Sequence, residues 1–134
     1  MWRHFNSCIP FYDLVLAYRP QNIDELYKSG AKKVKLMRSW FSPKNNFPLE
    51  LSGLDKQKYN CDVVFIGHYE EDGRKEYLKE VVKRGWSLKL FGPGYEWDEV
   101  ISDCRYLSAQ VPVKPVLGIE YNKAIAGSKI AMCF

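Results

Sequence analysis

The sequence predicts an α/β protein made of Rossmann-like parallel-sheet units, and three observations carry that expectation. Residues 61–67, Cys-Asp-Val-Val-Phe-Ile-Gly, are a β-branched and aromatic run of the kind buried on both faces of a sheet. The stripe Tyr77, Leu78, Val81 and Val82 follows at helical spacing and stops at Gly85. Residues 86–91 then alternate Trp86, Leu88 and Leu90 with Ser87, Lys89 and Phe91 and break at Gly92-Pro93-Gly94. Together they form a βαβ unit of about 30 residues, whose crossover is expected to be right-handed.

The remaining elements follow in chain order. Residues 14–18 are a short apolar run bounded by Asp13 and by Arg19-Pro20, as a buried parallel strand would be. Asn22 is placed to cap a helix whose first turn carries Asp24 and Glu25 and which Gly30 ends. Residues 33–37 alternate as a strand with one covered face. From Ser42 to Tyr59, Pro43, Asn45-Asn46, Pro48 and Ser52-Gly53 interrupt any period, which reads as a loop or linker at a domain boundary. The division expected is 1–50, a linker over 51–60, and 61–134. Past the βαβ unit, residues 97–104 suit a short helix and Pro112 and Pro115 an extended stretch. Residues 118–127 look helical with Tyr121, Ala124 and Ile125 on one side, and 129–134 read as a further inner strand. A chain ending on such a strand looks like a slice of a larger sheet.

Composition narrows the function classes. With 46% hydrophobic and 27% charged residues the chain should fold around a core, not stay disordered. No apolar run reaches the roughly 20 residues of a spanning helix, and the first six residues lack the apolar stretch of a signal peptide, so the expectation is a cytoplasmic protein. The four cysteines show no paired spacing, which argues against zinc and for reduced structural thiols. His4 and His68 are isolated, with His4 expected at the surface, and no metal site is anticipated. Residues 1–60 carry ten Lys/Arg against five Asp/Glu, whereas 61–134 carry ten against eleven. That asymmetry is read as a solvated basic face in preference to a nucleic-acid surface, since Lys28, Lys32, Lys33 and Lys35 crowd one helix end.

Ligands of open parallel sheets bind beyond the carboxyl ends of the strands, so the loops after Ile66 and Phe91 are the informative ones. Both open with glycine. At Gly67 the absent side chain lets a phosphate approach backbone N–H groups, with Arg74 near the next helix start as a bidentate cation; the alternative is a tight turn and a solvated arginine. Gly92, Gly94 and the Tyr95-Glu96-Trp97 segment are expected at a cleft rim where a base or sugar stacks, or else make only a sharp turn. No dinucleotide fingerprint, Walker A loop or G-x-S-x-G elbow is present, which disfavours nicotinamide, flavin and the corresponding hydrolase chemistries.

The string Asp62 to Gly67, Gly73-Arg74, Leu90-Phe91-Gly92 with Trp97, residues 118–125 and Ser128 to Ala131 resembles the nucleotide-binding half of GT-B-fold glycosyltransferases, more narrowly the spore-maturation, spore-coat type. Tyr12 to Val15, Asn22 and Gly30 to Val34 are similar to the end of the first domain of that family. The resemblance implies the end of one GT-B domain (1–50) and the start of a nucleotide-sugar-binding second domain (61–134). It further implies metal-free sugar transfer from a nucleotide-diphosphate donor, a substrate and not a resident cofactor, to an unknown acceptor. Gly67, His68 and Arg74 would then lie near the diphosphate, Gly92, Gly94 and Trp97 near the base, and Tyr121 would join them. The family's ribose-holding carboxylate segment would follow Phe134, and its catalytic base would precede Met1, so the 134-residue chain by itself is expected to be inactive and no catalytic residue is named. His68 departs from the small residue usual after the glycine.

Two other readings stand beside it. One is a non-catalytic Rossmann-like interaction module that forms a homo-oligomer through an exposed sheet edge. The other, a single-strand nucleic-acid binder on the basic first half, is weaker because its aromatics sit mostly in apolar runs.

Overall fold

The computed structural model describes residues 2–134, with side chains from residue 5 onward, so the expected surface position of His4 lies outside the described side chains. The protein is an α/β fold with parallel strands in two open sheets. The chain divides into two compact units, one up to Ser42 and one from Pro43 to Phe134.

In the first unit α1 (Trp2–Cys8) runs into a 3-10 turn (Ile9–Phe11). Strand β1 (Val15–Ala17), helix α2 (Asn22–Lys28) and β2 (Val34–Leu36) complete it, with β1 and β2 parallel and Val15 opposite Val34. Its core is small: Ile9, Ala17, Leu26 and Ala31. Gly30 closes α2 at φ +93°, where a Cβ would stand 3.0 Å from Pro10 Cγ. Asn22 is the first helical residue instead of the cap, a place taken by Gln21. The chain is already turning at Arg19-Pro20, whose carbonyls accept from Asn22 N and Ile23 N, so no side-chain cap is needed.

The second unit holds α3 (Gly53–Tyr59), β3 (Cys61–Ile66), α4 (Arg74–Lys83), β4 (Leu88–Phe91), α5 (Gly94–Ile101), α6 (Ile119–Ala126) and β5 (Ser128–Met132). Its sheet has the order β4-β3-β5, all parallel, with Val63 opposite both Leu88 and Ile130. Hydrophobic alternation along β3 explains the layering. Val63 and Phe65 pack with Leu78 and Val81 of α4 and with Trp97 and Ile101 of α5 on one face. Val64 packs with Tyr59 of α3 and Ala124 of α6 on the other.

Several expectations are corrected. Residues 53–59 are a helix, not a linker: the Ser52 hydroxyl accepts from Asp55 N at 3.1 Å, an N-cap that starts the helix without an apolar stripe. Residues 43–50 belong to the second unit and not to the first, as Asn122 Nδ2 donating to Asn45 O at 2.7 Å illustrates. Strand β4 begins at Leu88, two residues after Trp86, because Gly85 turns at φ +83° and leaves Trp86 half exposed. Strand β5 is an edge, with Ile130 52% exposed, where an inner strand was expected.

A polar clasp joins α3 to α6. Lys58 Nζ (2.7 Å) and the Tyr59 hydroxyl both donate to Glu120 Oε2, and Lys123 spans Asp55 (3.0 Å) and Glu120 (3.1 Å). Chiefly through Lys58, then Tyr59 and Lys123, the Glu120 carboxyl is held down to about 2.

Candidate functional site

The carboxyl ends of β3 and β4 are joined at two glycines. Gly67 N donates to Phe91 O at 2.9 Å, and Gly92 N donates to Lys114 O at 3.2 Å. The two backbones approach so closely that a Cβ on Gly92 would lie 2.1 Å from Gly67 O, so only glycine fits. Gly94 is held the same way, with Val113 O 2.3 Å from where its Cβ would be. The loops 67–73 and 92–94 therefore leave the sheet from one point. Connections from β3 go to β4 on one side, and the chain then returns past β3 to β5 on the other, so the strand order reverses between β3 and β5, beside the 67–73 loop.

Trp97 is placed differently from the expectation. It is fully buried, its Nε1 donates to Gly67 O at 2.8 Å, and its ring meets Phe65 and Tyr69 edge-on at centroid distances of 5.8 and 5.2 Å. Its faces are spent on the core, so it braces the Gly67 carbonyl and offers no stacking surface at a rim. Tyr95, 77% exposed, and Glu96 occupy the rim instead. Glu96 accepts from Tyr95 OH at 2.9 Å and from Tyr69 N at 3.3 Å, which ties the two loops together across the opening.

Arg74 is also not the solvated or free cation of the sequence reading. Only 6% of it is exposed, and its fork is filled: Nε donates to Asp72 Oδ1 at 2.8 Å, NH2 to Asp72 Oδ2 at 2.6 Å, and NH1 to His68 O at 2.6 Å. Glu70 adds a carboxylate oxygen 3.2 Å from NH2, and the Phe65 and Phe134 rings lie within 6 Å of the guanidinium carbon at 5.8 and 5.7 Å. A buried guanidinium needs such partners to offset lost hydration. The Arg74 guanidinium in turn holds the Asp72 carboxyl down to about 2. His68 is exposed, and its Nε2 pairs with Glu70 Oε1. The 67–73 loop is thus folded around Arg74, with Gly73 supplying the left-handed step (φ +91°) into α4.

Tyr121, half exposed on α6, opens onto a separate surface concavity of about 510 Å³ shared with Lys44, Asn46, Phe47 and Gly118, none of them in the two glycine loops. The structure thus brings Gly67, His68, Arg74, Gly92, Gly94 and Trp97 together and leaves Tyr121 apart. Asp72 and Glu70 join these residues without having been expected there from the sequence. The signal was present in Asp72-Gly73-Arg74, a carboxylate and a cation flanking a helix-starting glycine.

Among the described residues no group of three or more His, Cys, Asp or Glu could hold a metal ion. Among the described residues no helix is long and apolar enough to cross a membrane. Cys61 is buried, and burial pushes its thiol up, whereas Cys8 and Cys133 are exposed. Comparison with family models, curated proteins and solved structures finds no match, so the site stands on geometry and chemistry.

Proposed function

We propose that the second unit binds the nucleotide diphosphate of a sugar donor and serves as the donor side of a GT-B-type glycosyltransferase. The observation that carries this reading is the meeting of Gly67 and Gly92 at adjacent carboxyl ends of a β4-β3-β5 parallel sheet. Gly92 is buried and the N–H groups of Gly67 and Gly92 are taken by Phe91 O and Lys114 O, so the two glycines hold the strand ends together and a ligand is met by the loops that leave this junction, 67–73 and 92–97, instead of by the glycine amides expected from the sequence. Tyr95 and Glu96 at the rim supply an aromatic face and a hydroxyl acceptor suited to a base or ribose. In sugar transfer the diphosphate leaves with the bonding electron pair, and fixed donors aimed at it lower the barrier by stabilising the charge as it grows. The acceptor hydroxyl must stand opposite the donor carbon, about 3 to 3.5 Å away.

Calorimetric titration of the 134-residue chain with uridine and guanosine diphosphates in the presence of EDTA tests the reading. Saturable one-site binding is expected, unchanged by chelation; absence of binding of either nucleotide removes it. A non-catalytic interaction module is the second reading, favoured by the exposed Ile130 and Lys129 on the β5 edge. A stable dimer by solution mass together with no nucleotide binding supports it over the first.

A further inference from the structure

The concavity of about 510 Å³ beside Tyr121 lies wholly within the second unit, between residues 44–47 and the head of α6. Its volume falls within the roughly 300 to 1,000 Å³ of small-molecule sites. One wall carries a polar group that the fold positions and does not satisfy. Asn122 is more than nine-tenths buried, and its Nδ2 donates to Asn45 O at 2.7 Å. That bond fixes which end of the amide is which, because a carbonyl accepts only from the nitrogen. The other end, Oδ1, has no hydrogen-bond partner among the described residues. Every fully enclosed side-chain nitrogen or oxygen among those residues does have one, so Oδ1 is reached from the concavity that Asn122 lines.

The lining defines what would satisfy it. Oδ1 accepts, so the ligand must donate. An asparagine reads a base edge by offering nitrogen and oxygen together, and here the nitrogen is spent, which favours a hydroxyl over a nucleobase. Phe47 and Tyr121, each about half exposed, offer apolar ring surface to the C–H face of a sugar. Lys44 is exposed on the same lining, which holds no Asp or Glu among the described residues. Glu120, the nearest acid to Asn122 in sequence, is held by Lys58, Tyr59 and Lys123. Gly118, at φ +55°, has nothing within 4 Å of where a Cβ would stand, so the mouth stays open.

We propose that this concavity binds an acidic sugar, a hexuronic acid unit of a saccharide. A ring hydroxyl donates to Asn122 Oδ1, the ring lies against Tyr121 and Phe47, and the carboxylate faces Lys44. The proposal goes beyond the nucleotide reading and does not depend on it, since none of these residues belongs to the loops 67–73 and 92–97.

The test follows amide shifts of the full chain while methyl β-glucuronide, methyl β-glucoside or uridine monophosphate is added. Saturable shifts centred on residues 44–47 and 118–122 are expected with the glucuronide. At low salt it should bind about threefold more tightly than the glucoside, and Lys44→Ala should close that difference. Tyr121→Ala, which spares the bond from Asn122 to Asn45, should weaken the glucuronide by about fivefold, whereas Tyr77→Ala on α4 should change it by less than about twofold. The proposal is overturned by unmoved 44–47 and 118–122 amides with the glucuronide, by equal affinity for the two sugars, by equal effects of the two tyrosine variants, or by tighter binding of uridine monophosphate in those segments. Shifts at 67–74 and 92–97 with uridine diphosphate are read separately, so the nucleotide site stands or falls on its own.

Discussion

Replacing Gly92 by alanine tests whether the two glycine loops are locked as described. The added Cβ would lie 2.1 Å from Gly67 O and 3.0 Å from Gly67 C, so the backbones must separate by about 1 Å to restore an ordinary contact. That movement stretches the 2.8 Å bond from Trp97 Nε1 to Gly67 O and the 2.9 Å bond from Gly67 N to Phe91 O. Overpacking costs about 1 to 3 kcal/mol and each weakened hydrogen bond about 0.5 to 1.5, so a loss of about 2 to 4 kcal/mol is expected. At a urea slope of about 1 to 3 kcal/mol per molar, the midpoint should fall by about 1 to 2 M. Exchange of the Val63 and Val64 amides reports this on the second unit alone. Gly53→Ala is the control, since nothing lies within 4 Å of its Cβ position, and it should shift the unit by no more than about 0.5 kcal/mol. A Gly92→Ala midpoint equal to that of Gly53→Ala would refute the close approach and the brace built on it.

Other consequences are as specific. Trp97→Phe keeps most of the packing against Phe65 and Tyr69 but leaves Gly67 O without its donor, so the unit should lose about 1 to 3 kcal/mol by the same exchange measurement and bind uridine diphosphate more weakly. Because Glu120 and Asp72 titrate near 2 in the folded chain and near 4 when unfolded, the unfolded state takes up protons first as pH falls. Their stabilisation is complete above about pH 5 and drains away toward pH 2, so urea midpoints should fall across that window and Glu120→Gln should flatten the fall.

Much of the fold was legible because its signals are local. Val63, Val64 and Phe65 are buried on both faces of a sheet, which a run of apolar β-formers announces. Helix α3 was not, since Tyr59 is its one buried residue and Leu54 points outward, 79% exposed; its signature is the Ser52–Asp55 cap, not a stripe. At the site, the glycines were readable as positions of special backbone. The inward turn of Trp97 was readable too, in its i, i+4 spacing from Ile101 along the buried face of α5. The occupancy of Arg74 was legible only in part: Asp72-Gly73-Arg74 sets opposite charges side by side, but the left-handed step at Gly73 into the helix is not encoded in their spacing. Exposure of the β5 edge likewise depends on strand order, which a list of strands leaves open.

Amide shifts recorded while the chain is titrated with uridine diphosphate locate the ligand on the second unit as well as detect it. Saturable shifts centred on residues 67–74 and 92–97 are expected. Shifts confined to the lysines at 28–35, with the two glycine loops unmoved, would contradict the nucleotide reading.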